Sequence, residues 1–450
     1  MTEKMMLHQL RRGIGSAILA LAETPEPEKY RDVLLRCCLK DISFDEQCEG
    51  TKGYYLYEGI RALGMPEEFE DILIRTFEKR LGHRLFSQLS DILCAYANDG
   101  SEKAEGALQA KHLSLVQQIA KQRSFPTKYC EREQLESLMV CEVDRGGWAA
   151  FKRCVADAGR ISLTRKDDAY NACDFCDWFL GHCENKFGEK RVAQYFEKTA
   201  EKSEEVKAFL YTRAGQEEPW TERQNHSKQW DVSLADYIAC AEKVASDPYA
   251  YMRMGSFALR FSMQASEADF RQLAARIESE PSEETRAALL RVFRKVDFPG
   301  DMALLISYAQ SGSEQLRNTA VDALKRFKDA RVRDLAKKML AAGETEDGLQ
   351  LLRRNWTRGD DALVRKAVLS SKRVPHAIQL SVVDIYSKHR SKNCGDILLH
   401  VYRNGECGYC RSNIVWAMKR KHVFPENILE ECLYDFYDET RELARKMKEK

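Results

Sequence analysis

The sequence predicts an all-α protein whose C-terminal half is an α-solenoid of antiparallel helical hairpins. Three observations carry that expectation. Apolar residues fall at +3, +4 and +7 from a common anchor, which gathers them on one helical face. The pattern returns about every 31 residues along the C-terminal half. Every proline beyond residue 219 sits where the pattern predicts a helix start, a position at which a missing N–H costs nothing.

The clearest unit runs from Ser313 to Phe327, where Arg317 is followed by Ala320, Val321 and Leu324. One period back lie Arg286, Leu289, Leu290 and Phe293; one period forward lie Gly348, Leu351, Leu352 and Asn355. The next steps give Gln379, Val382, Val383 and Tyr386, then Arg411, Ile414, Val415 and Met418, then Arg441 and Ala444. Arg253 with Phe257 extends the series backward. A second apolar helix precedes each of these, anchored at Leu304, Leu335, Ile397 and Ile428, with Val364 and Ala367 filling the remaining step. Leu234, Tyr237 and Ile238 open the array. The expected unit is therefore a helical hairpin, about seven of them over residues 232–450. A single hairpin cannot bury both its faces, so stacking must complete the core. Pro248, Pro281, Pro299, Pro375 and Pro425 punctuate the starts, and Ser282 and Ser313, each followed by glutamate, read as N-caps.

The run Asp/Ser-x-x-x-Arg-x-x-Ala-Val-x-Ala-Leu, clearest over residues 313–324, resembles the second helix of HEAT repeats. The short unit is similar to phycobilisome-lyase-type HEAT repeats. The Trp, Leu-Gly, Tyr and Pro positions of tetratricopeptide units are absent, as is the Thr-Pro-Leu-His of ankyrin repeats. The resemblance implies a scaffold that binds partners, and implies no activity of its own.

Residues 1–214 also carry helix-spaced apolar residues, without a clean period. Helices are expected over Tyr30–Leu39, Tyr54–Leu63, Phe69–Leu81, Leu85–Ala97, Leu108–Ile119 and Trp148–Val155, with breaks at Gly64-Met-Pro66, Asn98-Asp-Gly100 and Ser124-Phe-Pro126. This half reads as an irregular helical array of degenerate HEAT-like repeats. Asp45-Glu-Gln-Cys-Glu-Gly50 followed by Tyr54-Tyr-Leu-Tyr57 is similar to the start of uncharacterised bacterial HEAT-repeat proteins. Residues 215–231, polar and aperiodic apart from Trp220 and Trp230, are the expected joint between halves.

Composition narrows the function classes. Apolar residues make up 44% and charged residues 31% of the chain, as a helical array with broad exposed faces requires. Fifteen cysteines without a secretory leader read as reduced thiols of a cytoplasmic protein, mostly buried as small hydrophobes. No uncharged apolar run approaches the ~18 residues of a membrane span. There is no phosphate-binding G-x-x-x-x-G-K-[ST], no dinucleotide G-x-G-x-x-G after a strand, no G-x-S-x-G and no H-E-x-x-H. No cofactor is expected.

Each local cluster of reactive residues also has a plainer structural role. Cys173-Asp-Phe-Cys176 with His182-Cys183 supplies four zinc-capable ligands, but Asp167–Phe187 reads as one helix, whose thiols cannot converge on a tetrahedral point. No metal is expected there. Cys407-Gly-Tyr-Cys410 lacks a second pair. Asp167-Asp168 and Asp360-Asp361 read as exposed helix caps. Cys48, Glu49, Tyr54, Tyr55, Tyr57 and Glu58, among Gly50, Gly53 and Gly59, form the densest functional-looking group. They make either a pocket or a helix start packed on its neighbour.

Charge points to a partner. Residues 317–421 hold 23 Lys and Arg against 11 Asp and Glu, whereas the rest of the chain is acidic. The cations cluster at the ends of second helices: Arg294, Lys295, Lys325, Arg326, Arg358, Lys388, Arg390, Lys419 and Arg420. Basic residues there also stabilise helix dipoles and need no ligand. The functional expectation is a non-catalytic scaffold whose basic column binds a protein with an acidic surface. The alternatives are a nucleic-acid partner, or an enzyme similar to HEAT-like alkylpurine DNA glycosylases, for which no catalytic position can be assigned.

Overall fold

The computed structural model describes residues 1–45, 48–121, 131–164, 177–214, 231–244, 246–371, 373–389, 391 and 393–449. Among them every regular element is helical, and the only β pairing is an isolated bridge between Val374 and Gly405. No helix among them is long and apolar enough to cross a membrane. The chain forms two compact units, one of Met1–Trp220, Cys407–Tyr409 and Glu426–Lys450, the other of Thr221–Glu406 and Cys410–Pro425. The expected joint at 215–231 lies, save its last residue, outside the described residues.

The first unit contains α1 (Glu3–Arg12), α2 (Gly15–Ala22), α3 (Glu28–Cys38), α4 (Gly53–Leu63), α5 (Pro66–Phe77), α6 (His83–Asn98), α7 (Glu102–Lys121), α8 (Glu131–Thr164), α9 (Asp177–Phe187), α10 (Glu189–Thr199) and α11 (Glu204–Ala214). Helix α6 is the central element and packs against α4, α5, α7 and α8. It buries Phe86, Leu89, Ile92 and Leu93 together with Gln88, whose amide donates to the carbonyls of Cys37 and Cys38 at 3.0 Å. A polar residue is tolerated there because it satisfies orphan carbonyls at the end of α3. Gly64 ends α4 at φ 79°, and Pro66 opens α5 at its first turn. Helix α8 is broken at Gly147, whose φ of 57° and ψ of −138° suit glycine alone. Its two halves turn back on each other, bringing the Cys154 thiol 3.9 Å from the Met139 carbonyl.

The second unit contains α12 (Leu234–Glu242), α13 (Pro248–Gln264), α14 (Glu267–Ser279), α15 (Glu283–Leu290) with a 3₁₀ turn at Arg291–Arg294, α16 (Met302–Tyr308), α17 (Glu314–Leu324), α18 (Ala330–Ala342), α19 (Thr345–Asn355), α20 (Asp361–Ser370), α21 (His376–Lys388), α22 (Gly395–Asn404) and α23, which starts from the first unit's Gly408 and runs to Lys421. Within hairpins α12 packs on α13, α16 on α17 and α18 on α19. Helices α15, α17, α19 and α21 each pack on the next in that series, and α18, α20 and α22 do the same. Ser282 and Ser313 cap α15 and α17 as expected, accepting from the backbone of Thr285 and Leu316. Leu289, Ala320, Leu324, Val382 and Ile414 are fully enclosed. In α16 the register is displaced by one: Leu305 is buried and Leu304 only half-buried. Asn355 occupies an apolar column because its amide accepts from the Asp329 backbone N–H at 2.9 Å and donates to the Phe327 carbonyl at 3.0 Å.

Polar contacts at repeat spacing join consecutive hairpins of this unit. Arg276 pairs with Glu242 at 3.2 Å, Arg294 with Asp322 at 3.2 Å, Arg326 with Asp297 at 2.7 Å and Arg333 with Asp360 at 2.7 Å. Arg353 pairs with Asp384 and Arg365 with Asp396. Asp360, expected as an exposed cap, is instead almost wholly buried against Arg333, with Lys337 at 3.6 Å. Asp361 is half-buried.

The sequence period continues to the end of the chain, but its last hairpin belongs to the first unit. It comprises α24 (Leu429–Cys432) and α25 (Asp438–Lys448), and α24 packs on α2. The Phe436 backbone N–H donates to the Gly13 carbonyl at 2.9 Å. At Gly15 an added Cβ would stand 1.8 Å from the Glu431 carbonyl oxygen, so the two backbones meet directly. An apolar hairpin face can be covered by any complementary surface, and here α2 supplies it.

Candidate functional site

Helix α4 carries Tyr54, Glu58 and Arg61 at i, i+4 and i+7, and thus on one face. That face borders a cavity of about 440 Å³ within the first unit. Tyr55 and Tyr57 lie beneath it, both buried and both bonded: Tyr55 donates to the Ile14 carbonyl at 2.9 Å and Tyr57 to Asp99 Oδ2 at 2.8 Å. Burial, with the bond to Asp99, pushes the Tyr57 phenol well above its usual range, so it stays a donor at all ordinary pH. Arg61 lies 3.4 Å from Asp99 and 3.9 Å from Glu58. Asn98, near the C-terminal end of α6, completes this wall.

The facing wall is built by residues 433–445. Arg441 is held in place by donating to the carbonyls of Asp435 and Phe436, each at 2.7 Å, and by pairing with Asp438. Arg445, one turn further along α25, lines the cavity with no carboxylate within 4.0 Å among the described residues. Tyr54 and Tyr434 are 44% and 36% exposed. Of the residues singled out in the sequence, Tyr54, Tyr55, Tyr57 and Glu58 therefore come together around a cavity. Tyr434, Arg441 and Arg445 were missed, because no local spacing connects them with residues nearly four hundred positions earlier.

Cys48 and Glu49 do not line this cavity. Glu49 is fully buried with Lys52 at 2.7 Å, and its other oxygen accepts from the Gly408 backbone N–H at 2.7 Å. The Lys52 ammonium lies 4.3 Å from the centre of the Phe436 ring. This buried pair fastens chain segments of the first unit to one another; removing either partner would strand the other charge. Cys48 is exposed.

The basic column divides into two sets. Asp322 takes both Arg294 and Lys325, Asp297 takes Arg326, and Asp384 takes Lys388 at 3.5 Å. Arg294 and Arg326 thereby link successive hairpins, whereas Lys325 and Lys388 pair with carboxylates three and four residues before them, so the column is not uncompensated along its length. Lys295, Arg358 and Arg420 are exposed, and Lys419 half-buried, with no carboxylate in ion-pair distance among the described residues. The Lys419 ammonium sits 5.2 Å from the centre of the ring of Trp416, a residue 46% exposed. Arg390 lies outside the described residues.

Elsewhere in the first unit, His112 is almost fully buried between two carboxylates, with Glu142 at 2.9 Å and Asp157 at 3.1 Å. Burial alone would lower its pKa, but the bonds to Asp157 and Glu142 prevail and raise it to about 9. The imidazolium joins the two halves of α8. Among the described residues all cysteines but Cys48 are buried. Cys410 Sγ lies 3.1 Å from His376 Nδ1. Cys173, Cys176 and Asp167-Asp168 lie outside the described residues; Cys183 is buried and His182 bonds to Asp144 at 2.9 Å. In comparisons with protein families, curated proteins and solved structures, the chain matches none.

Proposed function

We propose that the chain is a non-catalytic binding scaffold, with a HEAT-like α-solenoid as its second unit, that engages a protein with an acidic surface through Arg358, Lys419 and Arg420. The solenoid reading is supported by the packing of equivalent helices on one another from hairpin to hairpin. The binding reading rests on one observation. After ion pairs have neutralised Arg294, Lys325, Arg326 and Lys388, Lys419 and Arg420 in the last turn of α23 and Arg358 just after α19 remain without carboxylates in ion-pair distance among the described residues. A cation without a carboxylate in ion-pair distance is available to a partner. Trp416 beside Lys419 adds a flat apolar anchor of the kind enriched at interface centres.

The test is a pull-down from the native host with and without nuclease. Arg358→Glu with Lys419→Glu and Arg420→Glu should abolish capture of the partner while helical content is unchanged. Capture that survives the triple variant refutes the reading. The exposed Trp416 ring also favours a second reading, single-stranded nucleic acid stacking on it. In that case capture disappears on nuclease treatment, and affinity falls steeply with salt, near one counterion per phosphate contact.

A further inference from the structure

The cavity of the first unit has its own electrostatic character. On the wall made by α4 and α6, the two carboxylates of Glu58 and Asp99 share the single cation Arg61, at 3.9 and 3.4 Å. One negative charge is left over. The carbonyl end of α6 at Asn98 adds the negative pole of a helix dipole. On the wall made by residues 433–445, Arg441 is already engaged by Asp438 and two carbonyls, and the buried Asp435 carboxylate accepts from the Tyr437 backbone N–H, whereas Arg445 has no carboxylate within 4.0 Å among the described residues. That wall offers a cation. Tyr54 on the first wall and Tyr434 on the second, both partly exposed, add aromatic surface to the lining.

A ligand of either single charge would answer one wall and leave the other unpaired. A zwitterion answers both. The volume, about 440 Å³, falls within the range of roughly 300–1,000 Å³ of small-molecule sites. We infer that this cleft binds a short peptide with free ends, its amino group at Glu58 and Asp99, its carboxylate at Arg445, and a side chain against Tyr54 and Tyr434.

The experiment is equilibrium dialysis of the full chain against a pooled library of zwitterionic di- and tripeptides, with bound species read by mass spectrometry. A parallel pool carries N-acetyl and C-amide blocks. The expected result is retention of a subset of free peptides and at least tenfold weaker retention of their blocked forms. Arg445→Gln and Glu58→Gln should each lower retention at least tenfold with an unchanged helical spectrum, and Tyr54→Ala should change which peptides are retained. If no free peptide is retained, if blocked peptides are held equally, or if both charge-removing variants bind as the parent does, the inference fails. The triple variant of the basic edge should retain peptides normally, which keeps this test separate from that of the scaffold.

Discussion

His112 offers the sharpest test of how the first unit is held together. Its imidazolium bridges Glu142, before the break at Gly147, and Asp157, after it. It thereby clamps the hairpin formed by the two halves of α8. The pKa is raised from 6.5 to about 9. At 1.36 kcal/mol per unit this difference corresponds to about 3 kcal/mol of stability. The sign follows from protonation: the folded state binds the proton more tightly than the unfolded state. The contribution is therefore complete below about pH 6.5 and is lost as pH rises through 9. The partner Asp157 is shifted the other way: burial opposes ionisation, but the bond to His112 prevails and lowers its pKa. The same pair therefore weakens again under acid, as pH falls below the ordinary carboxylate range. His112→Gln keeps the size and one hydrogen bond but removes the charge. Pulse-labelling hydrogen exchange in a urea series, read on peptides from α7 and α8, isolates this unit from the rest of the chain. The parent should lose about 3 kcal/mol between pH 6.5 and 9.5. The variant should start lower by a similar amount and stay nearly flat. A parent that is flat over this range, or a variant that declines in parallel with it, would refute the reasoning.

Three further outcomes are expected. Gly15→Ala forces a Cβ against the Glu431 carbonyl oxygen; overpacking of this kind costs about 1–3 kcal/mol and should expose residues 426–450 to limited proteolysis. Ala320→Glu places an unpaired carboxylate at a fully enclosed site and should lower stability by about 4 kcal/mol or more in urea melts. The pKa of Asp91 is raised to about 7, chiefly by burial, against bonds from Thr51 and Cys141 that favour its ionised form. Its ionisation therefore costs stability as pH climbs from about 4 to 7. Asp91→Asn should be stabilising relative to the parent at pH 8 but not at pH 4, by at most about 4 kcal/mol and by less because the side chain is only half-buried. Equal effects at the two pH values would contradict this.

Much of the second unit could be read from the chain. The positions of Leu289, Ala320, Leu324, Val382 and Ile414 follow from the helical period, and the caps at Ser282 and Ser313 from residue type. These are local properties: a helix repeats every 3.6 residues whatever surrounds it, and a cap needs only its own first turn. The α4 tyrosines were visible for the same reason, as an aromatic cluster on one turn. Tertiary structure alone decided the rest. The basic column looked uncompensated because the sequence lists charges in order, whereas Asp322 and Asp384 each collect cations from two hairpins across a packing distance. The last hairpin kept the repeat pattern yet packs on α2, since an amphipathic pattern specifies that a face is buried and not what buries it. The cleft needed Arg441 and Arg445 beside Tyr54 and Glu58, a meeting of segments nearly four hundred residues apart. Helical periodicity carries no information on such distant pairings; they follow from which apolar surfaces fit together once the helices exist.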